Sequence, residues 1–215
     1  MTVIAFNGSP RKTGTTAKLL RKALEGAASQ GAETEFVQLN TLNMKGCQGC
    51  FSCKKRGGES YGKCVLKDDM TPLYGKIEQA DAVFMGAPIY FGSITSELKM
   101  VIDRMFPYLN FGNFSSNFPK KIPIGLIYTL GADDQQLGMY DQHFKFHQGI
   151  FTMLFGSAET LISTNTFHVE DYGKIVADAI EPLVEGKRKH QQEVFPKDCE
   201  KAFEMGVRFV KELAD

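Results

Sequence analysis

The sequence predicts an α/β protein, a doubly wound five-stranded parallel sheet forming one domain over residues 1–215. Short apolar, β-branched runs recur along the chain, helix-length segments separate them, and polar turns rich in Gly, Pro and Ser end them. Strands alternating with helices pair in parallel through right-handed crossovers, which places helices on both faces of the sheet.

Val3–Phe6 is an apolar run stopped by Asn7-Gly8-Ser9-Pro10, a buried first strand entering a loop. Thr15–Ser29 carries Ala17, Leu20, Ala23, Leu24 and Ala27 at helical spacing, with Thr15-Thr16 as a cap and Gly31 just beyond its end. Thr34–Leu39 is the second strand. Residues 40–69 then break the rhythm: they hold four of the five cysteines and a Gly57-Gly58 tip, and read as a functional excursion. Met70–Gln79 is helical, Ala82–Gly86 is the third strand, and Ala87–Ser93 is a loop. Ser96–Phe106 is a helix bounded by Pro107. Ile122–Thr129 is the fourth strand, with Pro123 near its start, where a missing N–H matters least. Gln135–Phe155 is largely helical, Glu159–Phe167 is the fifth strand, Glu185–Glu193 is a polar stretch, and Lys197–Leu213 is a final amphipathic helix.

Hydrophobic residues make up 43% and charged residues 23% of the 215, enough for a core without disulfide or metal staples. Lys+Arg and Asp+Glu number 25 each, so a net charge of zero gives no footprint for nucleic acid or an anionic membrane. No apolar run reaches the roughly 18–20 residues that span a bilayer. The N-terminus enters a strand without the basic and apolar regions of a signal peptide. The expected location is the cytoplasm, where the cysteines are thiols or ligands before they are disulfides.

The first loop, Gly8-Ser9-Pro10-Arg11-Lys12-Thr13-Gly14-Thr15-Thr16, carries the clearest chemistry. Small, donor-rich residues run into a helix N-terminus, where unpaired N–H groups and the positive dipole end favour an anion. Ser9, Thr13, Thr15 and Thr16 add hydroxyls, and Arg11 adds a guanidinium fork suited to phosphate. A Walker A loop is excluded because Thr15 rather than Lys follows Gly14. A dinucleotide fingerprint is excluded because only Gly8 and Gly14 are present. What remains suits a monophosphate bound without magnesium, and FMN fits that description. This loop resembles the FMN-phosphate loop of the NADPH-dependent FMN reductases and iron–sulfur flavoproteins, commonly Gly-Ser-Pro-Arg followed by Gly-Asn-Thr or Gly-Asn-Ser. Thr15 stands where Asn is usual, which keeps a short polar side chain.

The resemblance covers roughly residues 1–127 and implies a flavodoxin-like fold with strand order 2-1-3-4-5. In that order the loops after strands one and three flank the crevice at the carboxyl ends of the strands. Ala87-Pro88-Ile89-Tyr90-Phe91-Gly92-Ser93 resembles the Pro-x-Tyr-(Phe/Trp)-Gly-(Ser/Thr) loop that lies against the flavin ring in that family. Pro88, Ile89, Tyr90 and Phe91 can supply an apolar wall, and Gly92 and Ser93 bring backbone close. Thr129 and Gly131, after strand four, are a third expected contact. Asp81, Leu98, Lys99, Asp103 and Arg104 match the family as determinants of the fold.

Cys47-x-x-Cys50-x-x-Cys53 with Cys64 after ten intervening residues leaves three readings open: a [4Fe–4S] cluster, a structural zinc, or plain thiols. The iron–sulfur flavoproteins have a shorter last gap, and cluster-free relatives carry similar runs. Cys199 reads as a small buried hydrophobe. His143 and His147 stand four apart on a helix with no Glu between them to make a metalloprotease motif. No catalytic triad or carboxylate pair is legible, and a bound flavin requires none. The function expected is an FMN-dependent NAD(P)H oxidoreductase with ping-pong hydride transfer to a quinone, flavin or other small acceptor. The alternative is a cluster-bearing electron carrier exchanging electrons with a ferredoxin. The resemblance also implies a homodimer or homotetramer.

Overall fold

A computed structural model describes residues 1–213. Five long strands, β1 (Thr2–Asn7), β2 (Glu33–Gln38), β3 (Ala82–Tyr90), β5 (Ile122–Thr129) and β6 (Gly156–Ser163), pair in parallel in the order β2-β1-β3-β5-β6. These five keep the expected 2-1-3-4-5 order. The sheet has six strands rather than five, because β4 (Ser93–Ile94) folds back antiparallel on the end of β3, pairing Ile89 with Ile94 and Tyr90 with Ser93. Residues 87–90, expected as loop, therefore extend β3, and only Phe91-Gly92 turn. Both take positive φ (49° and 88°), the conformation of a two-residue hairpin whose twist matches its strands.

Helices α1 (Thr15–Ser29) and α6 (Phe195–Lys211) cover one face of the sheet. Helices α2 (Thr71–Gln79), α3 (Ser96–Asp103) and α4 (Asp141–Phe155) cover the other. The period-2 alternation of the strands serves both layers: Val3 and Ala5 face α1 and α6, whereas Ile4 and Phe6 face α2 and α3. On the first face Phe84 stacks on Phe209 with ring centroids 5.2 Å apart. No helix among the described residues is long and apolar enough to cross a membrane.

Two further expectations are corrected. Residues 185–193 belong to a helix, α5 (Val184–Glu193), rather than a polar connection. The strand expected at Glu159–Phe167 begins at Gly156 and ends at Ser163. Gly156, at φ 106°, both ends α4 and opens β6. Asn165, at φ 54°, turns the chain out of the sheet and frees the following residues for the crevice described below.

The excursion at residues 40–69 has no strand, only short 3-10 turns at Leu39–Thr41 and Ser52–Lys54. A buried ion pair anchors it. Arg104, at the end of α3, donates from Nη1 to Asp68 Oδ2 (2.8 Å) and from Nη2 to Asp68 Oδ1 (3.2 Å). The same guanidinium reaches the Lys45 carbonyl at 2.8 Å, and the Tyr74 hydroxyl donates to the Arg104 carbonyl. Burial pushes the Asp68 carboxyl up, and the bonds from Arg104 and backbone outweigh it, so it lies below its usual value.

His147 makes acid stability a testable property of this core. It is 6% exposed, its Nδ1 lies 3.1 Å from the Tyr128 hydroxyl, and burial pushes its pKa down to about 4. The folded protein holds the neutral ring, whereas the unfolded chain takes up a proton near pH 6.5. Stability is therefore fully present above pH 6.5 and is lost as pH falls toward 4, by up to about 3 kcal/mol. Urea midpoints should fall between pH 7.5 and 4.5, and His147→Phe should flatten that slope; equal slopes would refute the assignment.

Candidate functional site

The strands run parallel, so the carboxyl ends of β1, β3, β5 and β6 open on one edge of the sheet, where α/β proteins place ligands. The loop after β1 is shaped by Asn7, which is fully buried. Its Nδ2 donates to the carbonyls of Ser9 and Arg11 and to Gln38 Oε1, while its Oδ1 accepts the Ser9 N–H at 3.1 Å. Gln38 donates to the Ser9 carbonyl at 2.6 Å, and the Thr95 hydroxyl donates to the Gly8 carbonyl at 2.8 Å. A Cβ on Gly8 would sit 2.7 Å from Leu98 Cβ, so only glycine lets α3 approach this closely.

The loop delivers the chain into α1 with Gly14 at the N-cap, no side chain capping it and no acidic residue in its first turn. The first N–H groups of α1 are left for a ligand, and the dipole end is not compensated. Ser9 Oγ accepts the Arg11 N–H at 3.2 Å, which leaves the Ser9 hydroxyl hydrogen free to donate. The Thr16 and Thr129 hydroxyls meet at 2.7 Å and tie the first loop to the end of β5.

Ser9, Arg11, Gly14, Thr15, Thr16, Pro88, Ile89, Tyr90, Thr129 and Gly131 come together around one crevice of about 180 Å³. Leu130 and Thr166–His168 complete its walls. Thr13 is exposed and lies outside the lining, as do Phe91, Gly92 and Ser93, which sit on the hairpin beyond Tyr90. Phe91 is fully exposed at the hairpin tip.

Several contributing residues escape sequence reasoning. Asn7 and Gln38 shape the first loop without themselves lining the crevice; the Asn-Gly step before a Ser-Pro turn was the available signal for Asn7. The wall at Thr166–His168 was hidden because Thr166 and Phe167 read as the end of a strand and His168 as an isolated histidine. Lys187, on α5, has no sequence signal at all, yet it is 1% exposed and donates to the Gly131 carbonyl (2.6 Å) and Asn165 Oδ1 (3.0 Å). It clamps the loops after β5 and β6 together, and burial pushes its amine pKa down.

Cys47, Cys50, Cys53 and Cys64 all line a second, almost wholly apolar cavity of about 140 Å³, walled also by Phe51, Arg104 and Phe106. As placed, no three His, Cys, Asp or Glu side chains among the described residues are arranged to hold a metal ion. The Cys50 thiol is shifted down by hydrogen bonds to Ser52, and burial pushes Cys53 up. Cys199 is half-buried against the α1–α6 layer. His143 and His147 pack ring to ring at 4.3 Å, with His147 bonded to Tyr128 inside the core, away from the crevice.

The model of the NADPH-dependent FMN reductase family matches residues 1–165. An iron–sulfur flavoprotein of Methanocaldococcus jannaschii is 41% identical over 107 residues, half of this chain and 53% of that protein. An iron–sulfur flavoprotein of Methanosarcina thermophila is 34% identical over 132 residues, 61% of this chain and 64% of that protein. The matches thus span about half to two-thirds of these relatives' length. Among solved structures, an NAD(P)H:quinone oxidoreductase from Methanothermobacter marburgensis superposes with a TM-score of 0.68 over 96% of both chains at 14% identity. An FMN-dependent NADH-azoreductase from Bacillus anthracis, in complex with FMN, superposes with a TM-score of 0.67 over 98% of this chain and all of that one, at 13% identity. These two likenesses concern the fold. The sheet order, the first-loop architecture and the family match agree: the chain belongs to the NADPH-dependent FMN reductase family.

Proposed function

We propose that the chain binds FMN in the crevice and works as an NAD(P)H-dependent oxidoreductase toward a small-molecule acceptor. The observation that carries this reading is the meeting of Arg11 and Tyr90 on one crevice, at the uncapped N-terminus of α1. The residues fit the group: neutral hydroxyls and free N–H groups suit a phosphate dianion, and Pro88, Ile89 and Tyr90 give an apolar wall for a flat ring. When bound, FMN would supply a two-electron centre able to take hydride from NAD(P)H and pass the electrons to a quinone, flavin or similar acceptor. Ser9, Arg11, Thr15 and Thr16 would hold the phosphate; Thr13 adds a hydroxyl only if its loop closes inward. Phe91, Gly92 and Ser93 would act through the hairpin that carries Tyr90, not as part of the present lining. Thr129 and Gly131 would meet the ligand from the far side. Flavin-loaded protein should oxidise NADH or NADPH in the presence of a quinone, with parallel double-reciprocal lines as the acceptor is varied. Absence of nucleotide oxidation with flavin bound would contradict the reading.

Two observations favour a second reading. The four cysteines of residues 47–64 line a single apolar cavity, and the matched relatives are named iron–sulfur flavoproteins. Together these support a [4Fe–4S] cluster, whose ligation would require the thiols to draw closer than they are placed. The protein would then be an electron carrier. Iron and acid-labile sulfide in equal amounts, in protein prepared without air, would support it; a flavin spectrum with neither element would leave plain thiols. Five cysteines without a disulfide fit a reducing compartment such as the cytoplasm. The exposed rings of Phe51, Phe111 and Phe114, packed edge to face beside that cavity, would be covered in a homodimer or homotetramer.

A further inference from the structure

We infer that His168 is a phosphate-recognition residue, presenting an imidazole N–H to the crevice so that a phosphorylated flavin is selected over an unphosphorylated one. The inference deepens the FMN reading above and rests on it. Its ground is the wall after β6, which lies outside the two loops that make up the rest of the proposed site.

Three contacts place the ring. His168 lines the same crevice as Ser9, Arg11 and the first turn of α1. The Arg11 guanidinium donates to the His168 carbonyl, so the histidine sits at the phosphate end, not at the Tyr90 end. The ring packs against Gly131: a Cβ there would overlap His168 Nε2, so a glycine at 131 is what seats the imidazole.

The hydrogen-bond geometry is compatible with the tautomer this role needs. The Tyr172 hydroxyl lies 2.9 Å from the His168 backbone N–H and 2.9 Å from its Nδ1. The backbone N–H can only donate, so the hydroxyl oxygen accepts from it. The hydroxyl keeps one hydrogen, which it can give to Nδ1, and in the inferred arrangement Nδ1 is that acceptor. A neutral imidazole with Nδ1 unprotonated carries its proton on Nε2, the nitrogen that abuts Gly131, itself a residue of the crevice wall. Burial, and then the charges of Lys187 and Arg11, push the His168 pKa down, in keeping with a neutral ring before any anion binds. Tyr172 is thus a positioning residue for a ready-made donor, and Arg11, His168 and the α1 N–H groups converge on one anion.

The test is equilibrium titration of flavin-free protein with FMN and, separately, with riboflavin, followed by quenching of flavin fluorescence. A hydrogen bond to a charged group is worth roughly tenfold or more in affinity. His168→Ala should weaken FMN binding by that factor and leave riboflavin binding unchanged. His168→Gln keeps an N–H at similar reach and should recover most of the loss, and Tyr172→Phe should weaken FMN by a smaller factor. An unchanged FMN affinity in His168→Ala, an equal loss for both flavins, or no recovery in His168→Gln would each overturn the inference while leaving the FMN reading standing. Failure of the unmutated protein to take up either flavin would overturn both.

Discussion

Arg104→Ala should lower the free energy of unfolding by about 3–5 kcal/mol, read as a fall in the urea midpoint. Arg104 and Asp68 are 1% and 6% exposed in their side chains and form two parallel bonds. Removing the guanidinium strands a buried carboxylate whose ionised form depends on it, and it also orphans the Lys45 carbonyl. The double variant Arg104→Met with Asp68→Leu should recover a large part of the loss, because the cost lies in the unpaired charge more than in the missing pair. The damage should be local in structure as well. Arg104 joins α3 to the segment that carries the cysteines, so the thiols of Cys53 and Cys64 should react faster with a thiol reagent in Arg104→Ala. A midpoint shift below about 1 kcal/mol would mean that water or a rearranged partner replaces the arginine.

Gly206→Val should be the second large effect, because it acts on two functions of one helix. A Cβ at 206 would overlap the Ala23 carbonyl of α1, and a Cβ at Gly26 would overlap the Phe203 carbonyl of α6. The obstructing atoms are backbone, so no rotamer change relieves the clash and the helices must separate. Overpacking of this kind costs about 1–3 kcal/mol, and valine, with two further carbons, should sit at the upper end. Helix α1 opens at Gly14, the end that faces the crevice, so displacing it should also weaken FMN binding severalfold. A destabilised protein with unchanged FMN affinity would show that the α1 N-terminus is held by the sheet alone.

Legibility in the sequence followed periodicity. α1 and β5 occupy the expected residues because each carries a clear apolar pattern, with Thr15-Thr16 opening the helix, Gly31 just beyond it and Pro123 near the start of the strand. Elements closed by tertiary contacts were harder to read. The β3–β4 hairpin turns on Phe91 at φ 49°, a residue that ordinarily argues against a turn, and it is tolerated because Gly92 takes the second left-handed position. α5 reads as a polar stretch because its exposed face dominates it, while the residue that seats it, Lys187, is a charged side chain buried against a carbonyl. In the crevice, the two loops with motif-like composition were readable. Thr129 and Gly131, after β5, were readable as well, but the wall after β6 was not, since Thr166–His168 reach the crevice only because Asn165 turns the chain out of the sheet.

The most direct measurement is a crystal structure of the protein grown with FMN. The account predicts the phosphate against the first turn of α1, within hydrogen-bond reach of Ser9, Arg11 and Thr16, and the flavin ring against Pro88–Tyr90. Flavin density elsewhere, for example in the cysteine-lined cavity beside Phe106, or a crevice that stays empty at saturating FMN, would contradict it.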